Sequence, residues 1–445
     1  MIKNRVKQYL LLIVFGISNT LMFGMVMDNR YMPLYPHLYN GSDSSHATTF
    51  LDLFAVTGNQ AVNPGDIDRV MQSTSDTDPN KPNEYSTFTI RKSDGRLIGI
   101  PELQGQLDLY QLSGALVKLG LPDPMPSDWR YVAPFTTVTW GKLEGQGIAF
   151  QGYAPFCSWG GIGGSIFLLN LSTYVTVSAS TDLQNRLLFN SEPSQEKRFN
   201  DLLAQFQEEI GVTTGAYNVS GVSDFELYLS FFKIIDYAYK FRKIDISGRL
   251  GVLIPTGVTS NLQDIGSVPF GGNGHWGWYL GTQVEFELKE DWKAGILGRI
   301  QKRFPLTADH RIPVNGEPDT FAPLIGSVNT NPGTTFILSP YFTLQDLRAG
   351  LGACGKLTFV YHQYDTFTDM RKDQTIPINY KPWYDRTEWI AEYGTLDIFY
   401  DMAYKKPEWK YPPTFHFSWD IPTSFLSGRG FAKSNRVMLG IDVNF

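Results

Sequence analysis

Three histidines with nearby carboxylates are the side chains of this sequence best suited to proton transfer. They are His275, His310 and His362, near Asp309, Asp365 and Asp369. A catalytic base of this type needs a carboxylate that orients the imidazole and a nucleophile within its reach. The sequence has no Gly-x-Ser-x-Gly turn to present a serine, and its 6 histidines are scattered over 445 residues. We therefore predict no catalytic residue and keep a hydrolase at the rim of the fold as an alternative.

The sequence predicts no metal or cofactor. Cys157 and Cys354 are its 2 cysteines, and no pair of His or Cys residues has the spacing of a zinc site. The segment 271–277 is rich in glycine, but it lacks the following helix that a phosphate-binding loop requires. The net charge of −6 argues against a nucleic-acid partner.

Charged residues that occupy every second position of alternating segments are the candidates for lining a pore. They are Arg249, Glu285, Glu287, Lys293, Arg299, Arg303, Lys356 and Arg436, accompanied by Asp245, Asp397 and Asp442. Opposed charges across a pore create a transverse field and an aqueous constriction. The same charges could instead form ion pairs that fill a closed interior, and both interpretations stay open.

Strands with one apolar and one polar face must position these charges. Residues 280–288 and 293–301 both alternate in this way and flank Lys289-Glu290-Asp291, which is typical of a β-hairpin. Similar patterns predict strands near 47–57, 83–91, 130–141, 144–157, 163–178, 222–239, 241–255, 276–289, 291–304, 334–346, 349–366, 386–403, 411–421 and 434–445. After the first 27 residues, no segment has the roughly 20 apolar residues of a membrane-spanning helix.

The last segment, Arg436–Phe445, has the clearest alternation. Its odd positions from 437 to 445 are all apolar, and its even positions include Arg436, Asp442 and Asn444. A strand of this kind has one apolar and one polar wall. With its terminal Phe445, the segment resembles the closing strand of bacterial outer-membrane β-barrel proteins. The edge strand of a soluble, secreted β-sandwich is the alternative.

This resemblance implies an all-β fold, namely a single transmembrane antiparallel barrel with short helices in its loops. The even strand count would be about 14, with about 12 or 16 as alternatives. The resemblance also implies that outer-membrane lipid surrounds the barrel and that the barrel-assembly machinery recognises the closing strand through Phe445. It implies no particular oligomeric state.

The amino terminus fits export. Lys3, Arg5 and Lys7 precede the apolar run Tyr9–Ile17, a layout that predicts a signal peptide within residues 1–27. An uncleaved anchor is the alternative. Residues 28–445 would then form the barrel of a Gram-negative outer membrane, with long outer loops at 179–221, 256–275, 305–333 and 367–385.

Two segments have the 3.6-residue period of an amphipathic helix. One runs from Phe199 to Ile210 before Gly211, inside a predicted outer loop. The other runs from Leu109 to Leu119, on the predicted periplasmic side. We predict that both are packed loop helices, and a plug of the barrel is the alternative.

A second resemblance concerns the hairpin that joins two of the predicted strands. Pro255-Thr256-Gly257 ends one strand, and Gly274-His275-Trp276 begins the next. This hairpin looks like one in the channels for fatty acids and aromatic hydrocarbons, although the amino-terminal hatch motif of those channels is not evident. It implies uptake of hydrophobic compounds.

Taken together, these features predict a porin-like outer-membrane channel for diffusion or uptake of small solutes. Hydrophobic compounds are the variant implied by the family resemblance. A rim hydrolase, or a non-conducting structural or adhesive barrel, is the alternative. The tryptophans near predicted strand ends fit the aromatic girdles of a membrane interface, with a sugar-binding aromatic surface as the other interpretation.

Overall fold

The computed structural model describes residues 30–31, 47–61, 106–129, 132, 135–236, 241–378, 380, 384, 387–423 and 428–445. The predicted signal peptide and the predicted strand 83–91 lie outside these residues. The strands are β1 (Thr48–Ala61), β2 (Gln106–Asp108), β3 (Thr136–Cys157), β4 (Gly160–Ala179), β5 (Gly215–Val222), β6 (Phe225–Asp236), β7 (Lys243–Ile254), β8 (Gly277–Lys289), β9 (Trp292–Arg303), β10 (Leu306–Ile312), β11 (Leu324–Asn331), β12 (Thr334–Arg348), β13 (Leu351–His362), β14 (Thr366–Asp369), β15 (Trp389–Asp401), β16 (Pro413–Thr423) and β17 (Ala432–Asn444). The α-helices are α1 (Leu109–Lys118), α2 (Thr181–Arg186) and α3 (Pro193–Ile210), and short 3-10 helices span Asp319–Phe321 and Met402–Tyr404.

Twelve of these strands form a closed antiparallel barrel. The order around the barrel is β3, β1, β17, β16, β15, β13, β12, β9, β8, β7, β6 and β4, and β4 pairs with β3 to close it. Strands β2 and β5 pair with the outer parts of β3 and β4, while β10, β11 and β14 form a separate small sheet. The all-β barrel is therefore confirmed, and its strand number is 12, one of the two predicted alternatives, and not 14.

The count differs partly because residues 130–141 and 144–157 do not form two strands. The predicted strands leave a break at Lys142-Leu143. Strand β3 instead passes through these residues, in unbroken register with β4 from Thr137 to Pro155. Pairing with the neighbouring strand keeps the chain extended here, because strand preference depends strongly on context.

The outer face of the barrel is apolar and its inner face is largely polar. Leu53, Leu250 and Leu439 point outward with 55%, 50% and 58% of their surface exposed. On β17 the predicted alternation is present, since Val437 and Leu439 are exposed while their neighbours are buried. Among the described residues, no helix is long and apolar enough to cross a bilayer.

The two ends of the barrel differ in their connections. Tight turns join β3 to β4, β8 to β9, and β12 to β13 at one end, which we call the turn end. Long connections follow β4, β7, β9 and β13 at the other end, the loop end. The small sheet of β10, β11 and β14 belongs to two of these long connections.

Strands β3 and β4 extend past the rest of the barrel at the loop end. They contain 22 and 20 residues, about twice the 9–11 residues that cross a bilayer. The apolar inner face of this ribbon, including Phe167 and Leu171, packs against α1 and α3 in one buried cluster. The ribbon and the two helices thus build a cap at the loop end.

The predicted helices are present at α1 and α3. Phe199 and Phe206 of α3 are buried in the cap, and Gly211 ends the helix with a left-handed φ of 63°, a conformation that favours glycine. Helix α1 also lies at the loop end, because β2, directly before it, pairs with the start of β3. Its predicted position at the end opposite the long loops is wrong, because two predicted strands form the single strand β3 and the chain therefore enters β3 from the loop end.

A hydrogen-bonded contact crosses the seam between the first and last barrel strands. His416 Nε2 of β16 lies 2.7 Å from Asp52 Oδ1 of β1, and the intervening strand β17 places Gly440 directly beneath this contact. A β-carbon at Gly440 would lie 2.0 Å from both Asp52 Oδ1 and His416 Nε2. The seam therefore requires a residue without a side chain.

We expect Gly440→Ala to impair barrel closure, because its methyl group would separate His416 from Asp52. Breaking a buried charged contact costs about 3–5 kcal/mol. The fraction of protein with heat-modifiable gel migration, which reports a closed barrel, should fall sharply. Gly355→Ala is the matched control, because no atom lies within 4 Å of a β-carbon there; equal folded fractions in the two variants would contradict the seam.

Candidate functional site

The eight predicted pore-lining residues all lie on inward-facing positions of their strands. Buried among them are Arg249, Arg299, Arg303 and Arg436, while Glu285, Glu287, Lys293 and Lys356 are partly exposed. The described contacts bring four of the eight, Arg299, Arg303, Lys293 and Arg436, next to acidic partners. Three of those partners, Asp224, Glu226 and Asp420, are absent from the predicted set.

Arg299 contacts three side chains in the barrel interior. Its Nη1 lies 3.1 Å from Glu226 Oε1, and its Nε and Nη2 donate to Gln301 Oε1 at 3.1 and 2.8 Å. The guanidinium also stacks on the ring of Tyr279, with 3.5 Å between its central carbon and the ring centroid. Because β7 and β8 separate β6 from β9, the Arg299–Glu226 ion pair spans part of the barrel interior.

A second charged group lies nearer the turn end. Lys293 Nζ is 3.2 Å from Glu285 Oε1, and the Tyr341 hydroxyl donates to Glu285 Oε2 at 2.9 Å. Gln283 in turn donates to the Tyr341 hydroxyl at 2.8 Å. The group is less buried than Arg299, with side-chain exposures of 13% for Lys293 and 18% for Glu285.

Inward tyrosines lie flat against the barrel wall because glycines make room for them. Tyr228 covers Gly163 of the adjacent strand, and Tyr279 covers Gly251 in the same way. A β-carbon would lie 2.4 Å from the Tyr228 ring and 2.2 Å from the Tyr279 ring at these two glycines. Flat rings occupy less of the cross-section than rings that point across the barrel, and Tyr279 also provides the face on which Arg299 stacks.

Several buried polar atoms of the interior have no hydrogen-bond partner in the part of the chain that the structure describes. They are Ser165 Oγ, Glu226 Oε2, Asp245 Oδ1, Gln301 Nε2 and Asp397 Oδ1. A buried polar atom without a partner costs about 1–3 kcal/mol. An interior without water would therefore be unfavourable, whereas water molecules that entered it would form hydrogen bonds with these atoms.

Asp224 holds the long connection between β7 and β8 against the barrel. It lies in the break between β5 and β6, and its carboxylate accepts hydrogen bonds from the Gly257 and Gly272 amides at 3.1 and 2.8 Å. Arg303 Nη1 lies 2.6 Å from the same carboxylate. The two glycine segments noted in the sequence thus meet at one buried ion pair, which lies below the mouth at the loop end.

We expect Asp224→Asn to loosen the 256–275 connection, because Arg303 would lose its charged partner. Removing one member of a buried pair costs about 3–5 kcal/mol, so exchange of the Gly257 and Gly272 amides should accelerate by about 100-fold or more. Hydrogen exchange read by mass spectrometry checks this. Asp264→Asn is the control, because Asp264 is a half-buried residue of the same connection that contacts Thr213 and Asn261 and not Arg303. It should affect exchange only in its neighbourhood, and unchanged exchange in Asp224→Asn would contradict the role of the pair.

A cavity of about 330 Å³ lies at the loop end. The structure brings His275, His310 and His362 together in its wall, along with Asp365. Burial, together with His275, lowers the pKa of His310 below its ordinary value, so this imidazole is neutral at neutral pH. Of the carboxylates considered with the histidines, Asp309 and Asp369 lie on the small sheet and pair with Ser327 and Arg371.

His362 contacts a hydroxyl group and a carboxylate, as the histidine of a catalytic triad does, but the hydroxyl group is buried. His362 contacts Thr335 Oγ1 through Nδ1 at 2.8 Å and Asp365 Oδ1 through Nε2 at 3.0 Å. Thr335 is only 2% exposed, and Asp365 also accepts the Gly333 amide. The trio therefore ties the ends of β12 and β13 together, and it presents no exposed nucleophile. Among the described residues, no group of three or more His, Cys, Asp or Glu side chains could hold a metal ion.

The partners of the predicted residues were only partly visible in the sequence. Glu226 lies in the predicted strand 222–239, and its inward position follows from the apolar Phe225 and Leu227 on either side. Asp224 lies in the same predicted strand and at the same parity as Glu226, but the observed strand is broken there, so the sequence did not indicate its contacts with the 256–275 connection and Arg303. The contact between His416 and Asp52 joins residues far apart in sequence, and only the closure of the barrel brings them together.

The sequence matches no protein-family model and no curated protein. Among solved structures, an outer membrane channel from Pseudomonas putida F1 is 10% identical, with a TM-score of 0.47, over 92% of this chain and 97% of that chain. The Ralstonia pickettii toluene transporter TbuX is 10% identical, with a TM-score of 0.28, over 90% of this chain and 89% of that one. A Pseudomonas aeruginosa FadL homologue is 7% identical, with a TM-score of 0.28, over 90% of both chains. The closed antiparallel barrel with its apolar outer face confirms the predicted resemblance to bacterial outer-membrane β-barrel proteins.

Proposed function

We propose that this barrel is an outer-membrane channel for small polar solutes. Three buried polar atoms beside the Arg299–Glu226 pair carry this proposal, namely Glu226 Oε2, Gln301 Nε2 and Ser165 Oγ, which have no hydrogen-bond partner among the described residues. A barrel that served only as a scaffold could fill its interior with apolar side chains at no such cost. An interior that admits water satisfies these atoms and provides a path for a hydrophilic solute.

The path begins at the cavity at the loop end and passes the Asp224–Arg303 pair. It continues past Arg299 and Tyr279 and reaches the Lys293–Glu285 group, where the side chains are more exposed. Outer-membrane barrels have long loops outside and short turns in the periplasm, so the loop end faces outward in this proposal. The apolar outer face is then in contact with outer-membrane lipid.

Hydrophobic compounds are a less suitable cargo for this interior. The inward apolar surface of β1, β3 and β4, represented by Phe54 and Phe167, is already buried against the cap. The inner walls of β8, β9 and β12 carry charged and hydrogen-bonding groups instead. An apolar solute would leave those groups without partners, which disfavours its passage.

Swelling of proteoliposomes tests transport of polar solutes directly. Vesicles containing the folded protein should swell in isosmotic glycerol faster than vesicles containing heat-denatured protein. Swelling should slow as the hydrated size of the neutral solute increases, because the path is narrow at Arg299. Folded protein that swells no faster than the denatured control would refute transport of such solutes.

A further inference from the structure

The cavity at the loop end has the composition of a binding site. Its volume of about 330 Å³ falls at the lower end of the range for small-molecule pockets, about 300–1,000 Å³. Side chains from several separate segments converge on it, among them Arg30, the 260–275 connection, His310 and Trp389. Groups converging from so many segments are typical of a ligand site and unusual for a surface depression.

The charges in the cavity wall are balanced. Among the described lining residues, three are arginines and three are aspartates, namely Arg30, Arg303, Arg311, Asp264, Asp319 and Asp365. Arg311 directs its donors to the carbonyl oxygens of Ile210, Gly211, Leu262 and Ala322. Arg303 contacts Asp224, so the guanidinium groups of Arg303 and Arg311 are both already engaged by groups of the protein. A neutral ligand fits this balance better than an ion of either sign.

The wall also contains both hydrogen-bonding groups and aromatic rings. Thr320 lines the cavity, and its buried Oγ1 has no hydrogen-bond partner among the described residues. The rings of Phe367 and Trp389 line the cavity too. Trp389 stacks on His362 with an interplanar angle of 16°, and Phe367 stacks on Tyr380 and Tyr384.

We propose that this cavity binds a neutral polyhydroxylated solute of mono- or disaccharide size. Hydroxyl groups both donate and accept, so they match imidazole, amide, carboxylate and hydroxyl groups placed side by side. The C–H groups of a sugar ring can contact the parts of the Phe367 and Trp389 rings that line the cavity. A hydrocarbon would instead displace water from these polar groups without replacing its hydrogen bonds. This inference rests on the proposed function, because the bound solute is the one that the channel would carry.

Saturation-transfer NMR on the full-length protein, in a detergent without a sugar head group, tests the inference. Maltose, benzoate and toluene are the probes for the sugar, anionic and hydrocarbon classes. We expect saturable transfer to maltose and weaker transfer to the other two. Thr320→Val should weaken maltose binding about 5-fold, since it removes one hydrogen bond, and His310→Phe should also weaken it, because a phenyl ring lacks the two nitrogens with which the imidazole forms hydrogen bonds.

Thr366→Val is the matched control, because Thr366 is exposed on β14 and is not among the cavity residues. It should leave maltose binding unchanged. Preferential binding of benzoate or toluene, no saturable binding of maltose, or equal affinities in Thr320→Val and Thr366→Val would each overturn the inference. The NMR measurement detects binding whether or not the barrel transports solutes. If the protein binds maltose but fails the swelling assay, the proposed channel function is refuted and the proposed binding site is retained.

Discussion

Replacing Leu439 with arginine is expected to prevent most of the protein from assembling in the membrane. Leu439 is 58% exposed on the outer face of β17, opposite Leu53 of β1 and Phe417 of β16. An arginine at the midplane of the outer face of a membrane barrel costs about 2–4 kcal/mol. Heat-modifiable migration of the membrane fraction measures the assembled protein.

Asn444→Asp is the control for this prediction. Asn444 lies on the inward side of the same strand, and its side-chain oxygen accepts a hydrogen bond from Thr48 at 2.9 Å. Aspartate preserves that acceptor, and its charge faces the interior. We expect assembly close to that of the unchanged protein, and similar losses in both variants would show that the inward and outward faces have been assigned wrongly.

Neutralising either member of the Arg299–Glu226 pair should change ion selectivity in opposite directions. Arg299→Gln leaves the Glu226 carboxylate in the path and favours cations, whereas Glu226→Gln leaves Arg299 and favours anions. Each single change breaks a buried pair and should also destabilise the barrel by about 3–5 kcal/mol. Glutamine is preferable to glutamate at 299, because a second carboxylate beside Glu226 would add repulsion.

The double variant Arg299→Gln/Glu226→Gln separates charge from structure. It removes both charges, so selectivity should return towards that of the unchanged protein, and part of the lost stability should return as well. Reversal potentials across a salt gradient measure the selectivity of all three proteins. Shifts of the same sign in the two single variants would mean that the pair does not face the ion path.

Strand alternation predicted the barrel because each strand has one apolar and one polar face. The hairpin of β8 and β9 and the strand β17 lie where that pattern places them. The pattern failed at Lys142-Leu143, between two predicted strands, where the chain stays extended and pairs with β4 without interruption. The predicted position of α1 was wrong for the same reason. One extra strand in the count moves every earlier connection to the opposite end of the barrel.

Inward positions could be identified from sequence, but contacts across the barrel could not. Alternation placed Arg299 and Lys293 inside, yet the partner of Arg299 lies three strands away on β6. The contacts of Asp224 could not be predicted, because it acts from a strand break through the amides of Gly257 and Gly272. Closure of the barrel determines such contacts, and closure depends on register among all of its strands.

Conductance of the purified, folded protein in a planar lipid bilayer tests the central claim most directly. A hydrated path past Arg299 and Glu226 predicts discrete current steps, and the selectivity of those steps should respond to the charge at these two positions. Protein with heat-modifiable migration that inserts into the bilayer and passes no current would contradict the claim that the interior conducts.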